Sequence, residues 1–147
     1  MADAEVDGYP RVIAAALALR EAKEMHRTHA EVTKGLSDRV RGVEDHIGVL
    51  RGECATIKET RSALAVEIVK GARDDAEDRQ VYAQLQDCLR QCEVLESGAP
   101  VLVKELERAH VAGAHLVNAS VDAEQALETA RVEAKRVIVQ RQYGRPV

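Results

Sequence analysis

Phenylalanine and tryptophan are both missing from the 147 residues, and Tyr9, Tyr82 and Tyr143 are the only aromatic side chains. A thick globular core is normally filled with aromatic rings, which bury a large area at low entropic cost. Here Ala, Val and Leu supply almost all of the 46% hydrophobic content, and they suit a thin seam between helices. Proline is nearly absent too, at positions 10, 100 and 146 only, so 11–99 and 101–145 are uninterrupted by it. Long apolar runs are lacking: the longest, Val12 to Leu19, has 8 residues, against the roughly 20 that span a bilayer. No membrane segment is expected, and an acidic start argues against a signal peptide.

Three cysteines are too few for a secreted disulfide scaffold, so a reducing compartment, cytoplasm or nucleus, is expected, with the cytoplasm taken as the location. No basic excess exists either: the net charge of -4 gives no global field for nucleic acid, which is therefore not an expected partner. The two ends do differ. Residues 1–9 carry Asp3, Glu5 and Asp7 and no base, and read as an acidic tail. The segment 131–147 holds Arg131, Lys135, Arg136, Arg141 and Arg145 against Glu133 alone, with 143–147 read as a basic tail. Cations at a helix C-terminus are favourable by themselves, and that end is also the only candidate for an acidic surface or nucleic acid.

What is present is heptad order. With Leu36 placed at d, the a/d series runs Val12, Ala15, Leu19, Ala22, His26, His29, Thr33, Leu36, Val40, Val43, Ile47, Leu50, Cys54, Ile57, Arg61, Leu64 and Ile68. It continues through Gly71, Asp75, Asp78, Tyr82, Leu85, Leu89 and Cys92 without a slip. An unbroken phase argues for one helix over about 10–96, roughly 120–130 Å long. Gly35, Gly42, Gly48 and Gly52 fall on its outer positions. The competing reading breaks the helix at Gly35 and again after Gly71, where Asp74 and Glu77 form a capping-box pattern. The shared phase favours continuity.

Ser97-Gly98-Ala99-Pro100 reads as stop and restart, with Gly98 as the cap and Pro100 in the first turn of a second helix over 101–142. That helix has its own seam of Leu102, Leu106, Ala109, Gly113, Leu116, Ser120, Ala123, Leu127, Ala130, Ala134 and Val137. Val103, Val117 and Ile138 flank it on one side and Ala112, Ala119 and Ala126 on the other, a stripe wide enough for more than one neighbour. The expected fold class is all-α, a long coiled-coil helix folded back as an antiparallel hairpin. A turn at 97–100 sets Leu102 against Leu95, brings 137–141 near 56–60, and offers Glu133 to Arg61. The hairpin seam would then include Tyr82, Leu85, Leu89, Cys92, Leu102, Leu106, Ala109 and Leu116.

On that turn, residues 12–54 have nothing in the chain to pack against. Val40, Val43, Ile47, Leu50, Cys54 and Ile57, with Val103, Val117 and Ile138, become the expected partner interface. The large aliphatics are each worth about 1.5–3 kcal/mol if buried. In a parallel homodimer Arg39–Glu44, Glu53–Lys58 and Asp74–Arg79 would attract, but Arg61, Asp75 and Asp78 would meet their own copies in the core. A hetero-oligomeric assembly with other helical proteins is favoured over a homodimer.

Chemistry is sparse. Cys88 and Cys92, with His110 brought near by the expected turn, offer three zinc ligands and no fourth, so no metal or cofactor is expected. His26 and His29 could answer to pH or metal, but seam polar residues more often set register. No phosphate-binding loop, HExxH or nucleophile elbow occurs, and no enzymatic activity is expected. The apolar layers on either side of Arg61, over 36–89, resemble an arginine-type SNARE motif. The resemblance rests on spacing and departs at Gly71, Asp75 and Asp78, where layers should be apolar. The expectation is a structural coiled-coil subunit of a large cytoplasmic assembly, cytoskeletal in the first place: axoneme, centriole or kinetochore. A reversible tether in membrane traffic and a nucleic-acid-associated coiled coil are the alternatives.

Overall fold

The computed structural model describes residues 2–143, and among them there are helices and no strand: α1 (Ala2–Asp7), α2 (Pro10–Val69) and α3 (Ala76–Gln142). The two long helices, of 60 and 67 residues, pack against each other as a helical hairpin. The class is the expected one, but the turn is not at 97–100. It lies between Val69 and Ala76, and Pro100 sits inside α3.

The reason is burial. A turn at 97–100 strands the seam of residues 12–54, whereas a turn near 72 gives it a partner within the chain. Val12, Ile47, Leu50, Cys54 and Leu64 are buried, and Val40, Val43 and Ile57 half-buried. Several aliphatics at about 1.5–3 kcal/mol each outweigh the roughly 3 kcal/mol that a proline costs in a helix interior. Pro100 is on an exposed position, so water can reach the Glu96 carbonyl that its ring leaves without a donor.

The turn has the chemistry it needs. Gly71 has φ +75°, a left-handed conformation that favours glycine. Its N–H donates to the Ile68 carbonyl at 3.0 Å and the Ala72 N–H to the Glu67 carbonyl at 2.9 Å, the paired bonds of a Schellman cap. Arg73 then spans the reversal, pairing with Glu67 at 2.8 Å and with Glu77 on α3. Asp74 Oδ1 accepts the Ala76 N–H at 3.2 Å, satisfying a free donor at the start of α3. The capping-box partner Glu77 is thus occupied by Arg73 instead. Of the two breaks weighed in the sequence, the one after Gly71 is real and the one at Gly35 is not, since α2 runs through it.

The seam of α2 follows the expected register from Val12 to Ile68 at every step. In α3 the covered positions are Asp78, Val81, Leu85, Cys88, Cys92, Leu95, Ala99, Leu102, Leu106 and Ala109, continuing to Ala134. The second register therefore extends back through Pro100 to residue 78, and the first does not run on past the turn. Tyr82 and Leu89, expected in the seam, are 42% and 43% exposed. The SNARE-like layering fails for the same reason, because Leu64 and Ile68 share α2 with Arg61 while the layers from 78 onward belong to another helix.

The chain divides into two compact units, Met1–Lys34 with Arg108–Val147 and Gly35–Glu107. In the first, Val6, Val12, Leu127, Ala134 and Ile138 form the core. Residues 1–9 are accordingly more than an acidic tail: α1 lays Val6 into this core, and Pro10 opens α2 after the Tyr9 carbonyl has accepted the Ile13 N–H at 2.9 Å. In the second unit, Leu50, Cys54, Leu85, Cys88 and Cys92 form the core. Of the expected basic tail, Arg145 lies outside the described residues, and Tyr143 is exposed.

Candidate functional site

The residues expected to await a partner are divided by the fold. Ile47, Leu50, Cys54 and Ile138 are buried within their own chain, and Val40, Val43, Ile57 and Val103 are half-buried. Only Val117, 43% exposed, remains open. Of the expected hairpin seam, Leu85, Cys92 and Ala109 are buried and Leu102, Leu106 and Leu116 half-buried. In unit 2, Tyr82, Leu89, Glu96 and Val103 recur at heptad spacing one position beyond the α3 seam. They form a ridge that is apolar at Tyr82 and Leu89, which are exposed, and at the half-buried Val103, with Glu96 between Leu89 and Val103. Polar groups stand beside that edge: Arg51 reaches Glu96 at 2.7 Å, and Lys58 is exposed.

The ridge has an ordered polar end near the turn. Arg61, a charged residue on the α2 seam, donates from Nε to Asp78 Oδ1 at 3.1 Å and lies 4.3 Å from the centre of the Tyr82 ring. Asp78 is therefore the answering charge for Arg61, and the expected Glu133 pairs with Arg11 at 3.4 Å. A half-buried guanidinium is thereby satisfied by a carboxylate and a π-face together. Asp75 is exposed and pairs with Arg79 one turn on, at 2.8 Å, so neither aspartate sits in an apolar layer.

Beneath the ridge the unit brings three thiols together. Cys54 on α2 and Cys88 on α3 have their sulfurs 2.7 Å apart, and Cys92 belongs to the same buried cluster. The Cys88 thiol also donates to the Leu50 carbonyl at 3.3 Å. The hydrogen bond to Cys88 raises the Cys54 thiol above its ordinary pKa, with burial adding to it; for Cys92 burial is the main cause of a shift in the same direction. The expected zinc set is not assembled: Cys88 and Cys92 are buried in the core of unit 2, whereas His110 is an exposed residue of unit 1. Among the described residues no group of three His, Cys, Asp or Glu side chains could hold a metal ion. Sequence reading missed the meeting of Cys54 with Cys88. Running the α3 register backwards from Leu102 would have found it, because Cys88 then falls on the seam.

In unit 1 the oppositely charged ends engage each other. Arg131 pairs with Asp7 and Arg141 with Glu5, each at 3.5 Å, and Arg141 also bonds the Tyr9 hydroxyl. Lys135 and Arg136 are exposed. Part of the basic face that would serve nucleic acid is thus turned to acidic groups of its own chain. His29 is a seam residue with a specific contact: its Nε2 donates to the Ala109 carbonyl at 2.7 Å. Gly113 makes the room, since a Cβ there would lie 3.4 Å from the imidazole Cδ2. His26 is half-buried on the same seam.

No helix among the described residues is long and apolar enough to cross a membrane. Comparison with family models, with curated proteins and with solved structures gave no match.

Proposed function

We propose that the protein is a structural helical subunit, without a reaction of its own, that braces other helical proteins in a large assembly. The observation that carries this reading is the flank of Tyr82, Leu89 and Val103, crossed by Glu96, outside the hairpin seam. Its first two members are 42% and 43% exposed beside polar edge groups. A two-helix hairpin covers one face of each helix and leaves the flank of a wide stripe for a further helix. The partners are helices presenting apolar a/d side chains to the ridge and charges to Arg51, Lys58 and Glu96. The assembly is cytoplasmic, and the cytoskeleton is the host class that a small helical brace suits best.

This reading moves the partner surface from residues 40–57 to the α3 flank. Cross-linking followed by mass spectrometry in the native source is expected to join residues 82–103 to helical segments of other proteins. Leu89→Glu should abolish those links while leaving helicity and melting within a few degrees of wild type, because Leu89 is on the surface. Val66→Glu, at an exposed position of α2, should leave them intact. Equal loss in both variants, or none in Leu89→Glu, refutes the assignment.

A further inference from the structure

The geometry points to an oxidative cross-link site in unit 2, in which Cys54 of α2 and Cys88 of α3 close to a disulfide that ties the hairpin shut, with a peroxide as the oxidant. Both cysteines occupy core positions of antiparallel helices and sit in one buried cluster. Their sulfurs are 2.7 Å apart, so bonding at the usual length of about 2.05 Å requires a closure of only about 0.7 Å.

Two alternative pairings use the third thiol. Cys88 and Cys92 project from the same helix one turn apart, side by side instead of toward each other. Cys54 also interacts with the Cys92 thiol in the same cluster, but its close sulfur–sulfur approach, 2.7 Å, is to Cys88. Bond formation displaces the Cys54 S–H to the Cys88 sulfur and the Cys88 S–H to the Leu50 carbonyl. The Leu50 carbonyl keeps its place in the helix ladder, so no buried acceptor is orphaned.

The chemistry balances in two steps. One thiolate attacks the peroxide O–O bond, forming a sulfenic acid and releasing one water once protons are counted. The second thiolate attacks the sulfenic sulfur, forms the S–S bond and expels a second water. Two thiols and one hydrogen peroxide thus give one disulfide and two waters, with both sulfurs oxidised and the peroxide oxygens reduced. Burial keeps the thiolate fraction low, so closure is slow at neutral pH and quickens as pH rises. The link therefore forms slowly and is not a fast sensor.

The bond would span 34 positions of sequence and enclose the Gly71 turn. With the helices tied, the seam around Leu50 and Leu85 cannot separate, and the oxidised hairpin is unable to exchange its helices with another chain. The reduced hairpin retains that freedom.

The test is titration of the folded, full-length chain with hydrogen peroxide, read by intact mass, counting of alkylatable thiols in denaturant, and peptide mapping. The wild type should lose about 2 Da (two hydrogens), remain monomeric, fall from three alkylatable thiols to one, and yield a 54–88 linked peptide. Cys92→Ser should form the same link and retain no free thiol. Cys54→Ser and Cys88→Ser should form no intramolecular link, and circular dichroism must show each variant to be folded as the wild type is. The proposal is overturned by a 54–92 or 88–92 link, by covalent dimers, by sulfinic acid at these positions without a link, or by three thiols surviving oxidant that converts free cysteine completely.

Discussion

Alanine substitutions at Gly71, Gly98 and Pro100 separate the two places where this chain could turn, because the two turns assign opposite signs to the glycine effects and different magnitudes to the proline effect. In the structure Gly98 lies inside α3 with no atom within 4 Å of the position its Cβ would take. Gly98→Ala should therefore stabilise by about 0.8–1 kcal/mol, the helix-propensity difference. Pro100→Ala should restore the bond to the Glu96 carbonyl and stabilise by about 3 kcal/mol. Gly71 has open space around it as well, but its φ of +75° is the determining fact. Gly71→Ala should destabilise by about 1–2 kcal/mol. For a chain of this length the unfolding entropy is about 0.3 kcal/mol/K, so 1 kcal/mol moves the melting temperature by about 3 °C. Expected shifts are about +3 °C for Gly98→Ala, about +10 °C for Pro100→Ala and about -3 to -6 °C for Gly71→Ala. Thermal melts followed at 222 nm, with guanidinium unfolding as a check, resolve all three. With a turn at 97–100, Gly98→Ala would destabilise, Pro100→Ala would be near neutral and Gly71→Ala would stabilise. That pattern would refute a hairpin that reverses between Val69 and Ala76.

Leu50 and Val49 are sequence neighbours on different faces of α2, 4% and 57% exposed. Leu50→Ala should cost about 2–5 kcal/mol by equilibrium unfolding and Val49→Ala less than about 0.5 kcal/mol; similar costs would mean that the seam is misplaced. The thiols of Cys54 and Cys92 hold their protons more tightly folded than unfolded. Their contribution to stability is full below the unfolded thiol pKa of about 8.5 and is lost as pH rises through the higher folded value. The fall in melting temperature above about pH 8.5 should accordingly be shallower in Cys54→Ala/Cys92→Ala than in wild type, whatever the offset between the two at neutral pH; parallel slopes would contradict the burial of these thiols.

Helix, hairpin and the α2 seam were legible because they rest on local periodicity, which survives without knowledge of the partner. The place of the turn was not, because two signals competed. Ser97-Gly98-Ala99-Pro100 has the residues of a stop and restart, whereas Lys70-Gly71-Ala72-Arg73-Asp74-Asp75 sits at a weak point of a register that kept its phase by coincidence. Asp78, Leu85 and Cys92 belong to both the forward and the backward series, which made one helix look continuous. The deciding quantity, how much α2 seam each turn leaves wet, is a sum over the chain and no motif displays it. Taken backwards from Leu102, the α3 register meets Ala99, Leu95, Cys92, Cys88, Leu85 and Val81. The forward series offers Leu89, Tyr82 and Asp75 at its competing places.

The same displacement of the turn changes which surface can serve a partner. With 12–57 unpaired, their aliphatics would demand another chain, and Arg61, Asp75 and Asp78 would make a homodimer costly. With Arg61 answered by Asp78 and Tyr82, and with the seam closed in cis, that electrostatic objection to self-association disappears. In the function proposed above, a neighbour is recruited by the flank at Tyr82 and Leu89, with Tyr82 held between the Arg61 guanidinium on one side and open surface on the other. A helix docking there adds apolar area to residues already half out of water, so its affinity is set by Leu89 and Tyr82 more than by charge. The ion pair Arg51–Glu96, exposed at the rim, contributes orientation and little energy. Losing Leu89 should therefore cost binding through a faster dissociation rate, and neutralising Arg51 should change chiefly the salt dependence of association.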